Sequence, residues 1–207
     1  MKLFLDCGTN LGQGLNYFNN KYKLFNNNEW KIYTFEPNPY IPLDNMFKNV
    51  NNIVKLKKAI WINDDKIKFI CKGKKKKSDR IKYNEDRFQG GGSQLQITKK
   101  NNDIQCHIET DFIDVECINF SNFLKNNKDK FTEIIVKMDV EGAEFEIIDH
   151  LIDNDTLKII TELYIETHGR FNFTPEELDS KKKEIDIIEN NLLEKCRKHI
   201  FKVHFWS

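Results

Sequence analysis

Phe4-Leu5-Asp6-Cys7-Gly8-Thr9-Asn10-Leu11-Gly12-Gln13-Gly14 runs an apolar segment into a carboxylate and then into closely spaced glycines. A buried strand that opens onto glycines and then onto a helix lets backbone approach a ligand at the helix N-terminus, because no Cβ stands in the way. Outward from this stretch, apolar runs of strand character alternate with helical segments. Strands are predicted over residues 2–6, 32–35, 53–56, 134–138 and 157–165, and helices over 12–19, 43–49, 121–126 and 143–151. The alternation predicts an α/β fold, a doubly wound and mostly parallel sheet covered by helices on both faces. Residues 175–199 are predicted as the longest helix, with Thr174 as N-cap, Pro175 at the first helical position and Glu176 and Glu177 in the first turn. The tail 200–206 is predicted as a closing strand, antiparallel because no residues remain for a further crossover. Between residues 64 and 115 the periodicity weakens. A hairpin is expected around 66–71, a loop through Gly90, Gly91 and Gly92, and a strand near 113–117.

Two ligand readings of the glycine loop compete. G-x-x-x-G-x-G from Gly8 to Gly14 resembles the cofactor loop of short-chain dehydrogenases, whereas D-x-G-x-N-x-G from Asp6 to Gly12 resembles the first motif of class I methyltransferases. Asp6 separates them. A carboxylate at the end of the first strand repels a dinucleotide pyrophosphate but can hydrogen-bond, through water, around the cationic amino group of S-adenosylmethionine. The dehydrogenase reading also needs a Tyr-x-x-x-Lys pair late in the chain, and the match here, Tyr17 to Lys21, lies on the first helix. Cofactor contacts are therefore expected from Asp6, Gly8, Asn10, Gly12 and Gln13. Phe35-Glu36-Pro37-Asn38-Pro39 adds Glu36 at the end of the second strand, where an acidic residue can accept hydrogen bonds from both ribose hydroxyls.

Ile134-Ile135-Val136-Lys137-Met138-Asp139-Val140-Glu141-Gly142-Ala143-Glu144 carries an apolar strand into polar residues, placing Asp139 and Glu141 at its carboxyl end. Open α/β sheets bind ligands there, beside the point where strand order reverses. Asp139 is expected to face the methyl donor. In Tyr164-Ile165-Glu166-Thr167-His168, the period-two alternation of a strand puts Glu166 and His168 on one side. Asp139, Glu141, Glu166 and His168 thus form the predicted catalytic cluster. His168 suits a general base because its unperturbed pKa lies near ~6.5, with Asp139 or Glu166 as alternatives or as its orienting partner. Glu141 could equally serve the dipole of the following helix. The same residues make a hard-ligand set for a divalent metal, a reading the sequence does not favour.

These three motifs, from Leu5 to Gln13, from Phe35 to Pro39 and from Val136 to Glu144, resemble the FkbM-type methyltransferase family, and the resemblance runs on to Glu166-Thr167-His168. Gly92-Ser93-Gln94-Leu95 loosely resembles the family's Ser-containing middle loop. The resemblance implies a Rossmann-like class I sheet, S-adenosylmethionine bound by the first two motifs, and O-methylation of a hydroxyl on a sugar, glycan or small metabolite. Departures exist. Thr9 stands where a small Ala is usual, and Asn119 stands where an Asp commonly precedes the helix, although Asn also caps helices. The chain starts directly on its first strand, without the N-terminal extension the resemblance would lead one to expect, so an acceptor-binding lid is expected to be missing or supplied by the middle loop.

A chain of 207 residues, 39% of them hydrophobic, can bury one sizeable core, so residues 1–207 are expected to form one domain with a basic insertion near 72–93. The net charge of +1 supplies no global attraction for nucleic acid or membrane. Locally, Lys72-Gly73-Lys74-Lys75-Lys76-Lys77-Ser78-Asp79-Arg80-Ile81-Lys82 concentrates positive charge, with Tyr83 and Phe88 available to stack on bases. That run reads first as a solvated loop and second as a nucleic-acid contact, which would make the acceptor a ribose or cap hydroxyl. A silent methyltransferase-fold binding module is the third reading, and the intact Asp6, Gly8, Gly12, Glu36 and Asp139 oppose it. The five cysteines form no C-x-x-C pair, so neither a disulfide framework nor a cysteine zinc site is expected. With no signal-peptide or bilayer-spanning apolar run, a cytoplasmic protein without a membrane partner is expected.

Overall fold

The computed structural model describes residues 1–71, 94–95, 111–174 and 176–206. In chain order the elements are β1 Lys2–Cys7, α1 Gln13–Tyr22, β2 Trp30–Phe35, α2 Leu43–Met46, β3 Ile53–Leu56, β4 Ala59–Trp61, β5 Lys66–Cys71, β6 Gln94–Leu95, β7 Asp111–Asn119, α3 Phe120–Lys125, β8 Ile134–Met138, α4 Glu144–Asp153, β9 Glu162–Ile165, α5 Lys182–Arg197 and β10 Lys202–Phe205. The main sheet has the order β10-β9-β8-β1-β2-β3. All of its pairings are parallel. The chain steps outward from β1 to β3, then resumes on the other side of β1 with β8, so the order reverses between β1 and β8. This is a Rossmann-like α/β sheet, as predicted.

The apolar patterning explains the layering. Every residue of β8 is buried, and so are all but the first of β1, which is why both read as nearly continuous hydrophobic runs: a central parallel strand is covered on both faces. On one face Leu15 and Phe18 of α1 and Leu43 of α2 pack over Phe4, Ile32 and Ile135. On the other, Leu124 of α3, Ile147 and Ile148 of α4, and Leu192 and Cys196 of α5 pack over Leu3, Leu5, Val136 and Leu163. Burying such side chains contributes roughly 1.5–3 kcal/mol each.

The closing strand corrects the sequence reading. β10 runs parallel to β9, in register from Lys202 opposite Glu162 to Phe205 opposite Ile165. The predicted last helix is itself the crossover: α5 carries the chain back along the sheet before β10 begins. That helix, the longest among the described residues, starts at Lys182 with Lys181 as N-cap. Thr174 does not cap it. The Thr174 N–H donates to Glu177 Oε2 at 2.9 Å, and Ser180 Oγ donates to the Glu177 carbonyl at 2.9 Å, so residues 176–181 close separate turns first. Residues 157–159 form a 3-10 turn rather than the start of β9. The helix predicted at 43–49 shortens to α2.

A second sheet, ordered β4-β7-β5-β6, occupies the weakly periodic region. β5 pairs antiparallel with both β6 and β7, which matches the expected hairpin strand at 66–71 and the strand near 113–117. β4, not predicted, pairs parallel with β7. Asn119 does cap α3, its Oδ1 accepting the Asn122 N–H at 3.0 Å. The basic run Lys72 to Lys82 and the Gly90–Gly92 loop lie outside the described residues. Among the described residues the cysteines Cys7, Cys117 and Cys196 are free and buried, and no helix is long and apolar enough to cross a membrane.

Candidate active site

The end of β1 is pinned to both neighbouring strands. The Gly8 and Thr9 N–H groups donate to the Phe35 carbonyl at 3.0 and 3.2 Å, and the Asp139 N–H donates to the Cys7 carbonyl at 3.0 Å. Gly8 has φ +79°, and a Cβ there would lie 1.8 Å from the Asp139 carbonyl oxygen. Only glycine lets the loop pass this close to the end of β8. Asn10 is left-handed at φ 47°, and Gly12, at φ 78°, starts α1 at the exposed Gln13.

Glu36 ties the loop to β2. Its Oε2 accepts the Asn10 N–H at 2.7 Å and its Oε1 accepts the Asn38 N–H at 2.8 Å. Burial pushes its pKa up to about 6, against the two backbone donors and Lys137. Asp6 is buried completely, and neither carboxylate oxygen has a hydrogen-bond partner among the described residues. Burial raises its pKa in spite of Lys137.

Lys137, which falls outside the predicted catalytic and cofactor residues, is the buried cation beneath this loop. Its Nζ donates to the Gly8 carbonyl at 2.6 Å and stands 3.5 Å from Asp6 Oδ1 and 3.3 Å from Asp139 Oδ2. Burial opposes the charge, but Asp6 and Asp139 outweigh it and hold the lysine above its ordinary pKa. The signal was available: a lysine inside Ile-Ile-Val-Lys-Met is a charge in a fully buried strand, and such charges are paired.

The four residues of the predicted cluster lie together around His168. His168 Nε2 lies 3.8 Å from Asp139 Oδ1, 3.7 Å from Glu141 Oε2 and 3.4 Å from Glu166 Oε1. Asp139 follows β8 and Glu166 follows β9, so both stand at carboxyl ends of adjacent parallel strands. Glu141 reaches inward from a left-handed backbone, φ 53°. His168 is 1% exposed, whereas the side chains of Asp139, Glu141 and Glu166 are 25%, 23% and 27% exposed. The imidazole is thus enclosed, and the carboxylates around it are partly accessible.

Glu144 is the residue that sequence reading missed. It sits fully buried in the first turn of α4, its Oε1 accepting both the His168 backbone N–H at 2.6 Å and the Nδ1–H at 3.2 Å. Oε2 accepts the Gly142 N–H at 2.9 Å. A glutamate at a helix start ordinarily serves the helix dipole, so nothing in the sequence singled it out. Burial works against charging His168, but its hydrogen bond to Glu144 and the neighbouring carboxylates of Glu166 and Glu141 push its pKa up to about 10. The Phe171 ring stacks on the imidazole at 5.4 Å.

No curated protein and no solved structure matches this chain. A family model does. The model described as the methyltransferase FkbM domain matches residues 6–186, a span that contains the glycine loop, Glu36 and the whole carboxylate cluster, and the chain therefore belongs to the FkbM methyltransferase domain family.

Proposed function

We propose that this methyltransferase uses S-adenosylmethionine to methylate a hydroxyl of a sugar, glycan or small metabolite. The observation that carries the reading is Glu36, a buried carboxylate fastened to the glycine loop by the Asn10 amide and adjoining Asp6, whose oxygens have no hydrogen-bond partner among the described residues. Each Glu36 oxygen accepts one backbone N–H and retains a lone pair for a ribose hydroxyl. Asp6, at the reversal point of the sheet, provides negative charge suited to a cationic amino group. When bound, S-adenosylmethionine supplies a methyl on a positively charged sulfur, which keeps the C–S electron pair as the acceptor oxygen forms the O–CH3 bond.

The chain's own residues then have two tasks. The glycine loop and Glu36 hold the donor in line with the acceptor, and such positioning contributes much of the acceleration of a displacement. Asp139 takes the hydroxyl proton: it is accessible, it follows β8 at the reversal point, and Lys137 holds its other oxygen. His168 is enclosed and committed to Glu144 through Nδ1, so it supports the carboxylates rather than meeting the acceptor.

The test is calorimetric titration with S-adenosylmethionine and, separately, NAD, followed by transfer of labelled methyl to hydroxylated glycans, small metabolites and capped RNA. Saturable binding of S-adenosylmethionine alone and label on a glycan or metabolite are expected. Label on RNA would overturn the acceptor class, and binding without transfer to any acceptor would make the chain a silent module. In Asp139→Asn, kcat should fall about 10²- to 10⁴-fold with S-adenosylmethionine affinity nearly unchanged.

A further inference from the structure

A carboxylate is far more acidic than an alcohol, so a proton acceptor such as Asp139 works poorly on an unactivated hydroxyl. The pocket contains what would close that gap. We infer that Asp139, Glu141 and His168 bind a divalent cation of the Mn²⁺ class, with Glu144 orienting the histidine and Glu166 beside it. The inference concerns the same pocket as the proposed methyl transfer and rests on that reading for the cation's role, though not for its binding.

Three observations carry it. The first is donor spacing: one ligand atom each from Asp139, Glu141 and His168 lie within 4.8 Å of one another, and His168 Nε2 is 3.4 Å from Glu166 Oε1. Ligands on bonds of about 2.1 Å stand roughly 3.0 to 3.4 Å apart around an octahedral or tetrahedral ion, so side-chain rotation that draws the three donors together would place them on one ion and leave further positions open.

The second is the histidine. It is 1% exposed, and its Nδ1–H is committed to Glu144. That commitment leaves Nε2 as the atom facing the carboxylates. All three of these stand at 3.4–3.8 Å from it, longer than an ordinary hydrogen bond. A buried carboxylate on the far ring nitrogen is the usual second-shell device that fixes the tautomer of a metal-bound histidine.

The third is charge. Asp6, Asp139, Glu141, Glu144 and Glu166 cluster around one buried lysine, Lys137, and the His168 imidazole, with the exposed Arg170 acting on Glu166 from the rim. Negative charge stays in excess at a half-buried site, and a divalent ion is suited to offset it. One imidazole nitrogen among oxygens favours Mn²⁺ and its first-row neighbours over Ca²⁺ or Mg²⁺. Held there, such an ion would lower the pKa of a coordinated acceptor hydroxyl.

The experiment titrates the full chain with Mn²⁺ alone, without S-adenosylmethionine, following loss of the free-ion electron paramagnetic resonance signal. One saturable site per chain is expected. Glu144→Gln should weaken it about 10- to 100-fold through the second shell, and Glu141→Gln, a change at a partly exposed side chain, should weaken it at least as much. Glu36→Gln should leave Mn²⁺ affinity unchanged. The visible spectrum of the Co²⁺ form should change in His168→Gln. Absence of saturable Mn²⁺ binding overturns the site, as does undiminished Mn²⁺ affinity in folded Glu141→Gln. Mn²⁺ binding without S-adenosylmethionine binding would sink the proposed function and leave this site standing; the converse would do the opposite.

Discussion

Glu36 and Asn10, on β2's end and in the glycine loop, are joined by a 2.7 Å hydrogen bond from the loop's backbone N–H to Oε2. One carboxylate therefore both shapes the loop and presents the remaining lone pairs to a ligand. Its removal should weaken S-adenosylmethionine binding by about 1–3 kcal/mol in Glu36→Ala, read by calorimetry. Unchanged affinity in a folded variant would remove the ribose assignment.

The same residue sets a pH dependence. Burial raises the Glu36 pKa to about 6, and accepting two ribose hydroxyls favours the ionised form, so binding is linked to loss of a proton. Affinity should be flat above neutrality and fall as pH drops through about 6, with the decline missing in Glu36→Gln. An affinity that rises on acidification would contradict the sign.

Gly8 and Gly14 should respond differently to alanine. At Gly8 the new Cβ would meet the Asp139 carbonyl oxygen at 1.8 Å with φ at +79°, while at Gly14 it would meet the Lys137 side-chain Cε at 3.2 Å, with no positive φ. Left-handed strain of roughly 1–2 kcal/mol and overpacking of about 1–3 kcal/mol add at Gly8. Urea denaturation should show Gly8→Ala losing several times more stability than Gly14→Ala; equal losses would refute the close approach of the two strand ends.

Lys137 neutralises two carboxylates at once. Lys137→Met should cost about 3–5 kcal/mol, the usual penalty for stranding a buried charge. Adding Asp6→Asn should recover part of that loss in a double-mutant cycle. Strict additivity of the two changes would mean that the 3.5 Å pair is not coupled.

Asn119 holds α3 against the second sheet, its Oδ1 accepting from Asn122 and its Nδ2 donating to the Ile62 carbonyl at 2.8 Å. Asn119→Ala should lower stability by about 1–2 kcal/mol, and Asn119→Asp should retain the cap and lose only the Ile62 contact. Thermal unfolding that ranks Asp below Ala would remove the cap.

Much of this was legible from local pattern. A central parallel strand must be apolar on both faces, so β1 and β8 announced themselves, and Glu36, Asp139, Glu166 and His168 stood at strand ends because that is where polar residues begin. The orientation of β10 was not legible, since residues 200–206 have the same pattern in either direction. The pairing of β10 with β9 depends on where α5 delivers the chain.

The sequence by itself determined which residues form the strands and which polar groups end them, because the period-two and period-3.6 burial of side chains is a local property. Only the tertiary structure decided that Lys137 lies under the glycine loop and that Glu144 faces His168. Both are contacts across separate elements. Partner choice for a buried charge depends on which elements pack together, and no spacing along the chain encodes it.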